Sequence, residues 1–332
     1  MKSTLLDIVG LRLDFSTRRG VTRVLDGVDL DVAPGEAVAL VGESGSGKSM
    51  TAMAVMGLME AQYGARVSGS IRFDGQELVS LPEPQMRTLR GRRISMIFQD
   101  PMSSLNPVLT IGRQLTEHLE YHLGLAPARS LEHALDLLGE VGIPDPATRI
   151  DSYPHQFSGG MRQRVMIAMA VACGPDLLIA DEPTTALDVT VQSEIIAMVM
   201  RLRAERGMSV LWITHDLASI AGFADRVAIM YGGAVVETAP VDAIFADPWH
   251  PYARALLAAA PSLGSRRRER LVVIEGYPSD PAARPPGCAF APRCLLVVDR
   301  CRNERPPLEA LLPGRFVACF RADYPRTLES TK

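Results

Sequence analysis

The stretch that most narrows what this chain can fold into is Gly42-Glu43-Ser44-Gly45-Ser46-Gly47-Lys48-Ser49. It fits G-x-x-x-x-G-K-[ST]. It follows a short apolar run, Glu36 to Val41 (EAVALV), that reads as a buried strand, and it opens a helical pattern over about 48–59. In that setting glycines let backbone N–H groups turn inward around phosphate oxygens, and the helix N-terminus adds partial positive charge. Lys48 is placed to reach the β- and γ-phosphates of a nucleotide, and the Ser49 hydroxyl to ligate Mg²⁺. The nucleotide-contacting segment is taken to run from Gly42 through Met50. A chance Gly/Ser-rich turn is the alternative, and the strand and helix flanks argue against it.

The rest of the chain supplies a sheet for that loop. Residues 24–32 (VLDGVDLDV) alternate apolar and polar as a half-wetted strand does, and 94–98, 177–180 and 210–214 read as buried strands. Helical patterns fall at about 111–122, 131–141, 159–173 and 190–206. Strands alternating with helices predict an α/β domain with a largely parallel core sheet. Ala228 to Val236, with Gly-Gly between two apolar runs, predicts a hairpin. After about residue 260 prolines crowd in and this rhythm fades, which places a domain boundary near 261–270, between a domain of 1–260 and a small irregular one of 261–332.

The chain has 332 residues and a formal charge of −3, with no broad basic field for nucleic acid. The run Arg266 to Arg270 is local and reads as a solvated linker, or else a contact with a partner or anionic lipid. No stretch reaches the ~18 apolar residues of a membrane-spanning helix, and no signal-peptide pattern opens the chain. A cytosolic location is therefore expected.

Two further stretches bear on the nucleotide. The run 177–180 leads into Asp181-Glu182-Pro183, so two acids emerge at the end of a buried strand. Asp181 suits Mg²⁺, and Glu182 is then free to polarise an attacking water. Phe157-Ser158-Gly159-Gly160-Met161 opens a long helix and so makes a second anion-binding N-terminus. One nucleotide does not need two such sites on one subunit. The economical arrangement is a dimer in which each Ser158-Gly159-Gly160 caps the γ-phosphate held by the other chain's loop.

With these motifs in this order the chain resembles the ATP-binding subunits of ABC transporters, over about residues 4–260. FSGGM stands where that family has its signature motif, with Phe157 and Met161 replacing the commoner leucine and glutamine. The resemblance implies a Q-loop role for Gln99, which senses Mg²⁺ and the attacking water, and a switch role at the γ-phosphate for His215. It implies a D-loop at Ala186-Leu187-Asp188 that crosses the dimer interface, and stacking of Phe15 on adenine, a core residue being the alternative reading for Phe15. The implied fold is a P-loop NTPase cassette with a mixed core sheet, an antiparallel β subdomain and a helical signature subdomain over about 100–175. VGESGSGKS, QDPMSSLNPVLTIGRQL, DEPTTALDVTVQ, HPYARALLAAAP and the cysteine tail are similar to the dipeptide/oligopeptide/nickel importer subfamily. That resemblance implies ATP hydrolysis at the cytoplasmic face of the inner membrane and, most simply, uptake of peptides. The implied partners are a second homologous ATPase (a heterodimer being favoured), two transmembrane permeases and an extracytoplasmic binding protein. Nickel, glutathione and opine- or sugar-like solutes stay open as cargo. A DNA-repair ATPase would carry a coiled-coil insertion, and a translation factor two cassettes; an exporter cassette would not usually carry this tail.

Four of the five cysteines, Cys288, Cys294, Cys301 and Cys319, lie in the last fifty residues, spaced C-x₅-C-x₆-C-x₁₇-C. Four cytosolic thiols suit tetrahedral Zn²⁺ or an iron–sulfur cluster, and metal binding would supply folding energy to a tail too irregular to bury a large core of its own. Four ordinary thiols packed against a partner is the third reading. The spacing lacks paired C-x₂-C knuckles, which favours a cluster over zinc, and the resemblance implies a [4Fe–4S] cluster on these positions. Cys173 reads as a core residue.

Overall fold

The computed structural model describes residues 4–17, 20–59, 64–100, 104–185, 187–259 and 273–322. The predicted linker run 266–270 and boundary 261–270 lie outside the described residues. The chain forms two compact units. The first, here the loop unit, comprises Leu5–Asp31, Ala37–Val79 and Thr214–Lys332; the second, the signature unit, comprises Met1–Thr4, Val32–Glu36 and Ser80–Ile213.

The loop unit begins with β1 (Leu6–Thr17), β2 (Gly20–Val32), β3 (Ala37–Val41), α1 (Lys48–Val55), β4 (Arg66–Phe73) and β5 (Gln76–Glu77). An antiparallel layer runs in the order β2-β1-β4-β5, with Leu6 opposite Phe73 and Asp14 opposite Arg66. The sequence reading did not find β1 or β4. Their alternation is interrupted, because the β1–β4 register shifts between Val9 and Arg12, and such a bulge breaks the period of two. Leu6, Ile8, Leu11 and Leu13 are buried on either side of that break.

The signature unit holds α2 (Glu83–Leu89), β6 (Ile94–Ile97), α3 (Ile111–Leu123), α4 (Pro127–Glu140), α5 (Gly159–Val171), β7 (Leu177–Asp181), α6 (Val189–Arg206) and β8 (Ser209–Thr214). Strands β6, β7 and β8 pair in parallel and are buried at every position, which is why they read as continuous apolar runs. The predicted helices 111–122, 131–141, 159–173 and 190–206 match α3 to α6 within a few residues. Helices α3, α4 and α5 pack on one another. Arg206 ties α6 to Glu140 at the end of α4, and Arg164 ties α5 to Glu194 at 2.7 Å.

The chain then returns to the loop unit with β9 (Arg226–Tyr231), β10 (Ala234–Pro240), α7 (Val241–Ala246), α8 (Pro251–Ala259), α9 (Asp299–Asn303), β11 (Glu309–Leu312) and β12 (Arg315–Val317). Strand β9 runs parallel to β3 and antiparallel to β10, so this layer is mixed. The expected hairpin forms, turning at Gly232-Gly233. The segment from 273 onward has only short elements, as its prolines suggest, but it is not a loose tail. Strand β12 extends the sheet through β10, with Glu237 opposite Val317. Trp249, Val317 and Ala322 form a buried cluster against which Cys319 packs. The segment packs on the rest of its own unit, through Trp249 and β10.

Candidate functional site

The phosphate loop is shaped by contacts that only glycine permits at two positions. A Cβ on Gly42 would lie 2.2 Å from the Met230 carbonyl oxygen. Gly47 has φ 106° and caps α1, and a Cβ there would lie 2.6 Å from Leu25 Cδ2. Lys48 is buried, and its ammonium donates to the carbonyls of Gly42 (2.8 Å) and Glu43 (3.1 Å). Ser46 Oγ is buried without a hydrogen-bond partner, the kind of group a bound oxyanion would satisfy. Ser44 and Gly45 are exposed, and Ser49 and Met50 are part-exposed on the first turn of α1. Phe15 is part-buried near the end of β1. His215 is exposed just after β8.

In the signature unit Asp181 ends β7 and is 5% exposed. Glu182 follows with φ 46°, a left-handed backbone that a glutamate adopts only where its surroundings hold it. Its N–H donates to Ile213 O at 2.9 Å. Its carboxylate accepts from Gln99 Nε2 at 3.1 Å and Thr185 Oγ1 at 3.0 Å. Two of the three predicted catalytic residues thus meet directly.

Ser158 is the N-cap of α5, its Oγ accepting from the Met161 N–H at 3.3 Å. A Cβ on Gly159 would meet nothing, whereas one on Gly160 would press Val191 at 3.2 Å. Asp188 caps α6 in the same way, through the Val191 N–H at 3.0 Å. Ala186, between them in the predicted D-loop, lies outside the described residues. In the stretch before α3 Leu105 is buried, and Val108 is an exposed apolar side chain, at 75%.

Cys288, Cys294, Cys301 and Cys319 all line one small cavity, with His250, Phe290 and Phe320. Burial pushes the thiols of Cys288, Cys294 and Cys319 up, that of Cys319 to about 11. Among the described residues no three histidine, cysteine or acidic side chains are drawn tightly enough together to hold a metal ion. The thiols converge without closing on a point. Cys173, in the signature unit, is part-buried, its Sγ 3.7 Å from His118 O.

Sequence reasoning missed three residues here. Arg293, beside Cys294, forms a two-point ion pair with Glu43 of the phosphate loop, at 2.6 and 3.1 Å. Tyr252 Oη accepts the Glu43 N–H at 2.9 Å. Glu237, 1% exposed, accepts the N–H groups of Trp249 and His250 at 2.6–3.0 Å. The available signal was a charged residue inside an apolar stretch: Glu237 in AVVETAP and Arg293 in AFAPRC.

Comparison with known proteins identifies the family. The ABC transporter family matches residues 25–185, and the oligopeptide/dipeptide transporter C-terminal region matches 236–301. A probable peptide ABC transporter ATP-binding protein of Sinorhizobium fredii is 48% identical over 321 residues, covering 96% of this chain and 95% of that one. A Brucella abortus protein, provisionally named a peptide import ATP-binding protein, is 49% identical over 315 residues, covering 95% and 94%. Among solved structures, a dimeric ATP-binding cassette bound to ADP and phosphate superposes with a TM-score of 0.64 at 26% identity, over 71% of this chain and 98% of that one. The phosphate loop, the acids at the end of β7, the capped Ser158-Gly159-Gly160 helix and these matches lead to one conclusion: the chain belongs to the ATP-binding proteins of ABC transporters, in the branch that carries the oligopeptide/dipeptide C-terminal region.

Proposed function

We propose that this chain is the ATP-hydrolysing subunit of a membrane importer for peptides. The observation that carries the reading is the joint presence, in one chain, of an ABC cassette and the oligopeptide/dipeptide C-terminal region. In this reading the chain sits peripherally at the cytoplasmic face of the inner membrane, pairs with a second homologous ATPase and docks on two permeases fed by an extracytoplasmic binding protein. Among the described residues no helix is long and apolar enough to cross a membrane.

The mechanism assigns each residue a task. Residues 42–50 wrap the phosphates, Lys48 carries charge to the β- and γ-phosphates, and Phe15 stacks on the adenine. Ser49, Gln99 and Asp181 would hold Mg²⁺ through their hydroxyl, amide and carboxylate oxygens, the donors that suit it, and the ion would neutralise phosphate charge. Glu182, oriented by Gln99 and Thr185, accepts the proton of the attacking water, and His215 contacts the γ-phosphate. Phosphoryl transfer needs positioning and charge stabilisation more than covalent chemistry. The partner subunit's equivalents of Ser158, Gly159, Gly160 and Asp188 complete the site, which makes hydrolysis depend on dimer closure. Val108 and its neighbours would carry that closure to a permease.

The test is a complex with its two permeases reconstituted in vesicles, assayed for ATP-dependent uptake. Labelled di- and oligopeptides should accumulate with the wild-type chain and not with Glu182→Gln. Uptake of nickel or glutathione in their place would overturn the peptide assignment and leave the ATPase role standing.

A second reading, a [4Fe–4S] cluster on Cys288, Cys294, Cys301 and Cys319, is supported by the convergence of all four on one cavity. Because burial raises the thiols of Cys288, Cys294 and Cys319, loading would release protons and weaken at low pH. Anaerobic purification should give a brown protein with iron and sulfide. Colourless, iron-free protein that stays folded after chelation would sink this reading.

A further inference from the structure

Arg293 lies in the turn Ala291–Arg293, immediately before Cys294. Its side chain is 3% exposed. Behind the guanidinium, Nε donates to Glu275 O at 3.0 Å and Nη2 to Ile274 O at 3.1 Å. In front, Nη1 and Nη2 reach the two carboxylate oxygens of Glu43 at 2.6 and 3.1 Å. A guanidinium held this way fixes direction as well as distance.

Glu43 is the second residue of the phosphate loop and carries a negative charge where a polyanion must bind. Left alone, that carboxylate would repel phosphate oxygens. Arg293 cancels the charge and pins the side chain. The Glu43 N–H is held separately by Tyr252 Oη at 2.9 Å. The turn that presents Arg293 is itself wedged in place. Phe290 packs edge-on to Tyr231 and tilted on Tyr252, with ring centroids 5.2 and 5.4 Å away. On the neighbouring hairpin, the Gly233 N–H donates to Ser46 O at 2.9 Å, so the loop is braced at a second point.

We propose that Arg293, carried by the cysteine-bearing segment, is a positioning residue for nucleotide binding: its pair with Glu43 holds the phosphate loop in the shape and charge state that receives ATP. The proposal rests on residues 42–50 being the ATP cradle. It gives the C-terminal segment a hold on the phosphate loop whether or not the cysteines carry a metal.

The experiment is an ATP titration of the full-length chain by fluorescence, with melting temperature measured alongside. Arg293→Ala should weaken ATP binding about tenfold, the scale of one charge-assisted contact, while kcat of the assembled complex stays within about twofold. Adding Glu43→Gln to Arg293→Ala removes the uncompensated carboxylate and should recover most of the affinity. Arg293→Lys, which keeps the charge and loses the two-point geometry, should fall between. Lys48→Ala is the separate arm: if it leaves ATP binding unchanged, the cradle assignment itself fails. If Lys48→Ala weakens binding but Arg293→Ala binds like wild type, the positioning role is overturned. It is equally overturned if Arg293→Ala lowers affinity and melting temperature together and Glu43→Gln recovers neither, because that pattern belongs to a residue that only holds the fold.

Discussion

The phosphate loop and the cysteine-bearing segment touch each other, yet they are put together on different principles. The loop's parts lie within eight consecutive residues, and its chemistry is visible in their order: glycines for close approach, a lysine for charge, a hydroxyl for a cation. The segment's parts come from far apart. Arg293 and Glu43 are separated by 250 positions, and β12 finds β10 across about eighty. A local device can be read off a chain; a device assembled by tertiary contact leaves only a residue that looks out of place. The lesson is that the C-terminal segment is part of the cassette's framework.

The largest effect that bears on this comparison is at Phe290, 3% exposed and packed on Tyr231, Tyr252 and His250. Phe290→Ala should cost about 3–5 kcal/mol, in the same unfolding transition that reports the phosphate loop. A separate low-temperature transition for the C-terminal segment, with the main one unmoved, would break the comparison.

A smaller effect comes from His250, which is 1% exposed and whose pKa burial lowers from 6.5 to about 3. Its Nδ1 accepts the Tyr252 N–H at 3.0 Å. Between pH 6.5 and 3 the unfolded chain binds a proton that the folded chain refuses, so stability falls as pH drops through that window. The slope is up to about 1.4 kcal/mol per pH unit for this group. Buried Glu237, whose carboxyl is raised by burial, pulls the opposite way, so the clean comparison is the difference from His250→Asn. Denaturant unfolding at pH 6.5 and 5.5 should show the variant losing less stability than wild type. Equal losses would mean that His250 takes its proton without leaving the fold.

The smallest expected change in stability is at Val108, where exposure is 75%. Val108→Asp should alter folding by less than about 0.5 kcal/mol and leave ATP binding intact while lowering transport. Equal loss of binding and transport would remove this residue from the coupling surface.

Much of the fold was legible where one period dominates: β6, β7 and β8 as apolar runs, α3 to α6 as helical patterns, the hairpin at Gly232-Gly233 as a turn between strands. β1 was not, because its bulge near Gly10 disrupts the alternation. At the candidate site the residue types were legible and their conformations were not. Nothing in DEPTT announces that Glu182 sits at φ 46°; that geometry is imposed by Ile213, Gln99 and Thr185 around it.

The most direct test of the central claim, that this chain burns ATP in a closed dimer, is sedimentation of the Glu182→Gln chain with its partner ATPase, with and without Mg-ATP. The account predicts that the variant binds ATP as wild type does, loses turnover by about 10²–10⁴-fold, and shifts to a stable dimer when Mg-ATP is added. Wild-type hydrolysis by Glu182→Gln, or full activity from a dilute monomer that never dimerises, would contradict it.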